Sequence, residues 1–291
     1  MLPIMLVHGI ARFDVITEEI RRRLQLPDGW NDGQHYFKNI KSFLEANGVP
    51  AVRHSSQGFA ASVDIRAGQL VEQIKQCTSD FNVPKVHLIA HSMGGLDARH
   101  AIVDFDVSDK VASLTTIGTP HFGTVLADRV LGYGGKLLVT LLESVIDLRG
   151  FADLTMDACE RFNARAEATE AVNEVRYQTF AAAEELGRTF FPLVPSNLLL
   201  SKLAGPNDGL VPVSSQLWKA DLGAADGSSK QVTQSTFPMA ADHLNEIGWW
   251  DPSEILDGDI HLDDIITAKT EYENRVKEVY LGIAQGLDQY E

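Results

Sequence analysis

The stretch KVHLIAHSMGGLDARHAI, residues 85–102, restricts the fold more than any other part of this 291-residue chain. An apolar run, KVHLIAH, meets a Gly-bearing turn and passes directly into a helical pattern. A strand that turns at once into a helix is half of a crossover connection, and crossovers build parallel sheets covered by helices. The same alternation recurs along the first 120 residues: PIMLVH, HYFKNIKSFLEANG, PAVRHSS, SVDIRAGQLVEQIKQC, KVHLIAH, MGGLDARHAIVDF and KVASLTTIGTP. The pattern predicts an α/β fold with a mostly parallel sheet and helices on both faces. A further helix over LTMDACERFNARA, a strand over VRYQTFAAA, a loop or hairpin over DLGAADGSSK and a closing helix near 264–285 complete it. No repeat or low-complexity tract divides the chain, so residues 1–291 read as one domain. Within it, 122–150 reads as an insertion, with Leu137, Leu138, Leu141, Leu142, Val145 and Ile146 at helical spacing.

Bulk properties exclude several functions. A net charge of −15 opposes phosphate backbones and anionic lipid headgroups, so no nucleic-acid partner is expected. Cys77 and Cys159 supply neither a disulfide framework nor a zinc site. The longest apolar run, LLVTLL, is far short of a membrane span. The opening MLPIMLVHGIARFD lacks a secretory signal, so a cytoplasmic location is expected unless a leader has been removed.

Chemistry concentrates at Ser92. A serine hydroxyl attacks only when a base takes its proton, an acid orients that base, and donors receive the oxyanion. In A-H-S-M-G the serine sits at the strand-to-helix turn that exposes a nucleophile, with Ala90 in place of the usual first glycine. In this architecture acid and base follow the serine in chain order. His8, His35, His54, His87 and His91 precede it, His100 falls within the following helix, and His121 comes too early to follow an acid. His243, in a loop between a polar strand and a short helix, is the expected base, with His261 as its competitor. Asp208, ahead of a Gly turn in NDGLVPVSS, is the expected acid, although an Asp-Gly pair also suits a plain turn. Asp221, Asp226 and Asp242 are weaker alternatives. The backbone N–H groups of Met93 and of Ile10, in the LVHGIAR loop, are the expected oxyanion donors, with His8, Gly9, His91 and Gly94 framing the site.

MLVHGI, HLIAHSMGGLDAR, TTIGTPHFGT, RFNA, NDGLVPV and DHLNEIGW, in this order from residue 3 to about 250, resemble the bacterial true lipases, the family I triacylglycerol lipases of the α/β-hydrolase fold. The resemblance implies a compact α/β-hydrolase with a six-stranded sheet in the order 2-1-3-4-5-6 and a helical lid at the insertion. It implies Ser92 as nucleophile, Asp208 as acid, His243 as base, and a lipophilic ester as substrate, with the lid making transient contact with a lipid interface. A carboxylesterase, a phospholipase or a lipid-anchor deacylase would use the same triad, and a non-catalytic lipid-binding protein could keep the fold. Many such lipases bind a structural calcium through an aspartate two residues after the histidine; Asn245 stands there, and no Asp or Glu occurs between Glu185 and Asp208. The calcium site is therefore expected to be absent or weak, and no other metal or cofactor is expected.

Overall fold

In the computed structural model the described residues are 1–10, 32–58, 61–133, 148–249 and 262–287. Their elements follow the chain as β1 (Ile4–Val7), α1 (Ile40–Ala46), β2 (Val52–His54), α2 (Val63–Phe81), β3 (Val86–His91), α3 (Met93–Asp104), β4 (Val111–Ile117), α4 (Val125–Tyr133), α5 (Met156–Val172), β5 (Arg176–Ala181), α6 (Val194–Leu203), α7 (Val213–Gln216), β6 (Asp221–Gly223), β7 (Ser229–Gln231), β8 (Thr233–Thr236) and α8 (Leu262–Leu287). The Leu137–Ile146 helix expected in the insertion, and His261, lie outside the described residues.

Every neighbouring pair in the six-stranded sheet β2-β1-β3-β4-β5-β8 is parallel. The expected order holds, and the sixth strand of the sheet is the eighth in the chain because DLGAADGSSK folds back as the antiparallel pair β6–β7 outside it. β1, β3 and β4 are buried along their whole length, which explains their continuous apolar runs. Alternate residues of β1 serve different cores. Met5 and Val7 meet α2 and α3 through Leu70, Ile74, Ala98 and Ile102, whereas Ile4 and Leu6 pack with Ile40 and Leu44 of α1 and Tyr280 and Ile283 of α8. A third cluster, which includes Ile10, Met93, Leu96, Leu126, Phe151, Leu193, Leu210 and Leu244, gathers residues that follow β1 and β3 with α4, α6 and the later loops. Both cysteines are buried and free.

Two features were not legible beforehand. The stretch between β5 and Asp208 carries α6, so Asp208 follows a helix. Buried charges also tie helices together: Arg99 of α3 donates from Nε (2.8 Å) and Nη2 (3.0 Å) to the two carboxylate oxygens of Glu170 on α5, and its guanidinium lies 4.1 Å from the centre of the Trp218 ring. Arg99→Met would strand the Glu170 charge in the core, and urea unfolding is expected to show a loss of about 3–5 kcal/mol.

Candidate active site

Ser92, between β3 and α3, has φ 58° and ψ −135°, a left-handed backbone that non-glycine residues seldom adopt. The strain is held from both sides. Ser92 N–H donates to Ile117 O on β4 (2.9 Å), and Thr119 Oγ donates to Ser92 O (2.8 Å). Small neighbours are needed because the chain closes in here: a Cβ on Gly9 would lie 2.7 Å from Ser92 Cβ, and one on Gly94 would lie 2.6 Å from Val7 O and 2.7 Å from His8 O. Ala90, in place of the usual glycine, is accommodated as a fully buried residue of β3.

His243 arrives by an extension of the sheet. Beyond the β8 ladder, Phe237 N–H donates to Ala181 O, Ala241 N–H to Ala183 O and His243 N–H to Asp208 O, at 2.8, 3.2 and 2.8 Å. Its ring then bridges the other two groups: Ser92 Oγ lies 2.8 Å from Nε2, and Asp208 Oδ2 lies 2.7 Å from Nδ1. With the proton on Nδ1, the ring donates to the carboxylate and Nε2 accepts from the serine hydroxyl. Asp208 is fully buried and receives Leu210 N–H (2.8 Å) and Val211 N–H (2.7 Å) on Oδ1 and Gln216 Nε2 (3.2 Å) on Oδ2, so its lone pairs are occupied by neutral donors beside His243. The three residues named from chain order thus form one hydrogen-bonded line.

Behind His243 lies a group that sequence spacing did not reveal. His91, whose ring centre is 4.5 Å from that of His243, sits between the Tyr36 hydroxyl (2.7 Å from Nδ1) and Glu246 Oε2 (2.8 Å from Nε2). Burial, reinforced by Asp208 and Asp242, drives the Glu246 carboxyl well above the usual carboxylate range. Burial and then the neighbouring His243 drive His91 well below the usual imidazole range. Both shifts favour the neutral forms, with Glu246 Oε2 on His91 Nε2 and the Tyr36 oxygen on Nδ1. Glu246 Oε2 is 3.9 Å from His243 Nδ1, so a neutral carboxyl here spares the base a second nearby anion.

The remaining candidates fall into place by contact. Met93 opens α3, so its N–H is among the first helical amides without an intrahelical acceptor. Ile10 is buried and packs in the same cluster as Met93. His8 is buried, its N–H donating to Ser55 Oγ (3.2 Å), and burial lowers its pKa to about 3. Among the weaker alternatives, His121 is buried 2.9 Å from Thr116 Oγ and stacks on Trp218, and His100 pairs with Asp104. Asp221 is exposed on β6, Asp226 lies in the hairpin turn, and Asp242 accepts the N–H groups of Phe190, Leu244 and Asn245. Asn245 places its oxygen on Asp242 N–H and its amide on Trp249 O.

A buried Ser-His-Asp line at the strand ends of a parallel sheet defines an α/β-hydrolase, and the chain is a carboxylic ester hydrolase. Residues 67–133 match the family described as PGAP1-like alpha/beta domain. Triacylglycerol lipase 2 of Saccharomyces cerevisiae is 30% identical over 284 residues, covering 85% of this chain and 80% of that protein. Triacylglycerol lipase of Vibrio cholerae is 30% identical over 246 residues, 73% of each. The crystal structure of a metagenomic carboxyl esterase superposes with a TM-score of 0.65 at 18% identity, over 99% of this chain and 76% of that one. The chain belongs to the triacylglycerol lipase family.

Two outcomes follow from this geometry. Gly94→Ala is expected to shift the α3 terminus off β1, at about 1–3 kcal/mol of overpacking, with a parallel loss of ester hydrolysis read on the purified variant. Glu246 carries the second. A carboxyl whose folded pKa is raised contributes stability that is complete below its unfolded pKa and is lost as pH rises toward the folded value. Glu246→Gln removes that loss, so urea midpoints should show the variant gaining on wild type as pH rises above the ordinary carboxylate range.

Proposed function

We propose that this chain hydrolyses triacylglycerols through an acyl-enzyme on Ser92, and the observation that carries the reading is the 2.8 and 2.7 Å line from Ser92 through His243 to Asp208. His243 Nε2 takes the hydroxyl proton as Oγ attacks the ester carbonyl carbon. The carbonyl oxygen becomes an oxyanion facing the amides of Ile10 and Met93. Collapse breaks the bond to the glycerol oxygen, which leaves with the proton from His243. Water, deprotonated by the same nitrogen, then attacks the acyl group and frees Ser92 as the fatty acid departs.

The chain acts as a single domain, and residues 122–150 form a lid over the acyl pocket. Two observations support the lid: Leu126 and Phe151 join Met93 and Ile10 in one apolar cluster, while Leu131 of α4 stays 53% exposed and Phe122 40% exposed. Exposed apolar side chains of this kind turn toward a lipid surface more readily than toward water. No calcium is required at the histidine loop. Asn245 gives both ends of its side chain to backbone groups there, which supports this.

Ser92→Ala is expected to abolish hydrolysis of p-nitrophenyl esters, and near-wild-type turnover would overturn the mechanism. A panel from short soluble esters to emulsified triacylglycerol should favour the long, emulsified substrates, with a chelator leaving rates unchanged. A sharp preference for short soluble esters would make the protein a carboxylesterase instead.

A further inference from the structure

Arg66 occupies the core-facing side of α2 among Val63, Ala67, Leu70 and Ile74, and it is fully buried. Burying a guanidinium is costly unless its donors are used, and here they converge on three separate segments. Nε and Nη2 donate to Asp97 Oδ2 at 2.9 and 2.6 Å, and Nη1 donates to Gly58 O at 2.8 Å. Nη2 also donates to His8 O at 2.8 Å and reaches Gly9 O at 3.4 Å. Asp97 neutralises the charge, and the carbonyls take the donors that it leaves free, which ties the guanidinium to the backbone on both sides.

Two of those carbonyls, His8 O and Gly9 O, belong to the residues immediately before Ile10. Asp97 lies one helical turn after Met93 on α3. One planar group therefore spans the two backbone segments that present the Ile10 and Met93 amides, at the place where Gly94 brings them into contact. Asp97 Oδ1 is buried without a hydrogen-bond partner, so the carboxylate is committed to Arg66 through its other oxygen.

We infer that Arg66, anchored by Asp97, is a positioning residue that sets the separation of the two oxyanion donors. The inference rests on the assignment of Ile10 and Met93 as those donors. Oxyanion catalysis depends on amides fixed in advance at the position the charge will take, so loosening them weakens the tetrahedral state far more than substrate binding. A merely structural ion pair would lower stability without selecting between those two states.

The test compares wild type with Arg66→Met, Arg66→Lys and Asp97→Asn. It reads kcat and KM on p-nitrophenyl butyrate, inhibition by butylboronic acid, which adds to Ser92 as a tetrahedral anion, and inhibition by butyramide, a neutral ground-state analogue. Circular dichroism and thermal midpoints report folding. In Arg66→Met, kcat and boronate affinity should fall together by roughly 10–100-fold, with KM and butyramide affinity within about twofold of wild type. Arg66→Lys, which keeps a donor but loses the fork, and Asp97→Asn, which keeps the fork but loses its anchor, should fall between. Should Arg66→Met fail to fold, these two decide. Folded Lys and Asn variants with wild-type kcat and boronate affinity would overturn the inference, as would equal losses of boronate and butyramide affinity. Wild-type protein that a fluorophosphonate fails to label would sink the triad itself, and the inference with it.

Discussion

The left-handed backbone of Ser92 is the constraint around which the other elements arrange themselves. A residue at φ 58° persists only where its surroundings leave no alternative. Here those surroundings are Ile117 O on one side, Thr119 on the other, and the end of β1 pressed against the start of α3. The parallel sheet creates this crowding, because it brings the C-terminal ends of β1, β3 and β4 side by side. Strain at Ser92 and close packing beneath it are thus one fact. The turn that lifts the hydroxyl out of the strand also starts α3.

Much of this was written locally. Ser92 was legible because strand, turn and helix occupy consecutive residues, and Asp208 and His243 because chain order leaves few partners in this architecture. The hairpin at β6–β7 was marked by its Gly and Ser residues. What stayed hidden depends on pairs far apart in the chain. Glu246 meets His91 across 155 positions, and Arg66 meets Asp97 across 31, so no periodicity announces either contact. The core-facing position of Arg66 in α2 was the one available signal, since a cation amid Val63, Leu70 and Ile74 needs a partner. α6 went unread because its LLL run has no clear helical face, and the structure exposes Leu198 and Leu203 while burying Leu200.

The interior carries more ionisable groups than an ordinary core, and they are handled in two ways. Arg66 and Arg99 keep their charge and bind a carboxylate each. Glu246 and His91 are driven toward their neutral forms by burial. The first arrangement gives fixed orientation between helices. The second fills the space behind the base with polar groups that hold its ring without opposing the charge it gains when it takes the proton.

The hairpin β6–β7 has a topological consequence. It lies outside the sheet and divides the chain so that Ser92 and Asp208 fall on one side of the turn at Ala224–Ser228 and His243 on the other. Covalent continuity through that turn is not what aligns the histidine. The β5–β8 ladder and the backbone bonds that prolong it to Asp208 deliver the ring. The triad is in this sense assembled from two separable pieces of polypeptide, and the register of a single strand pair sets their fit.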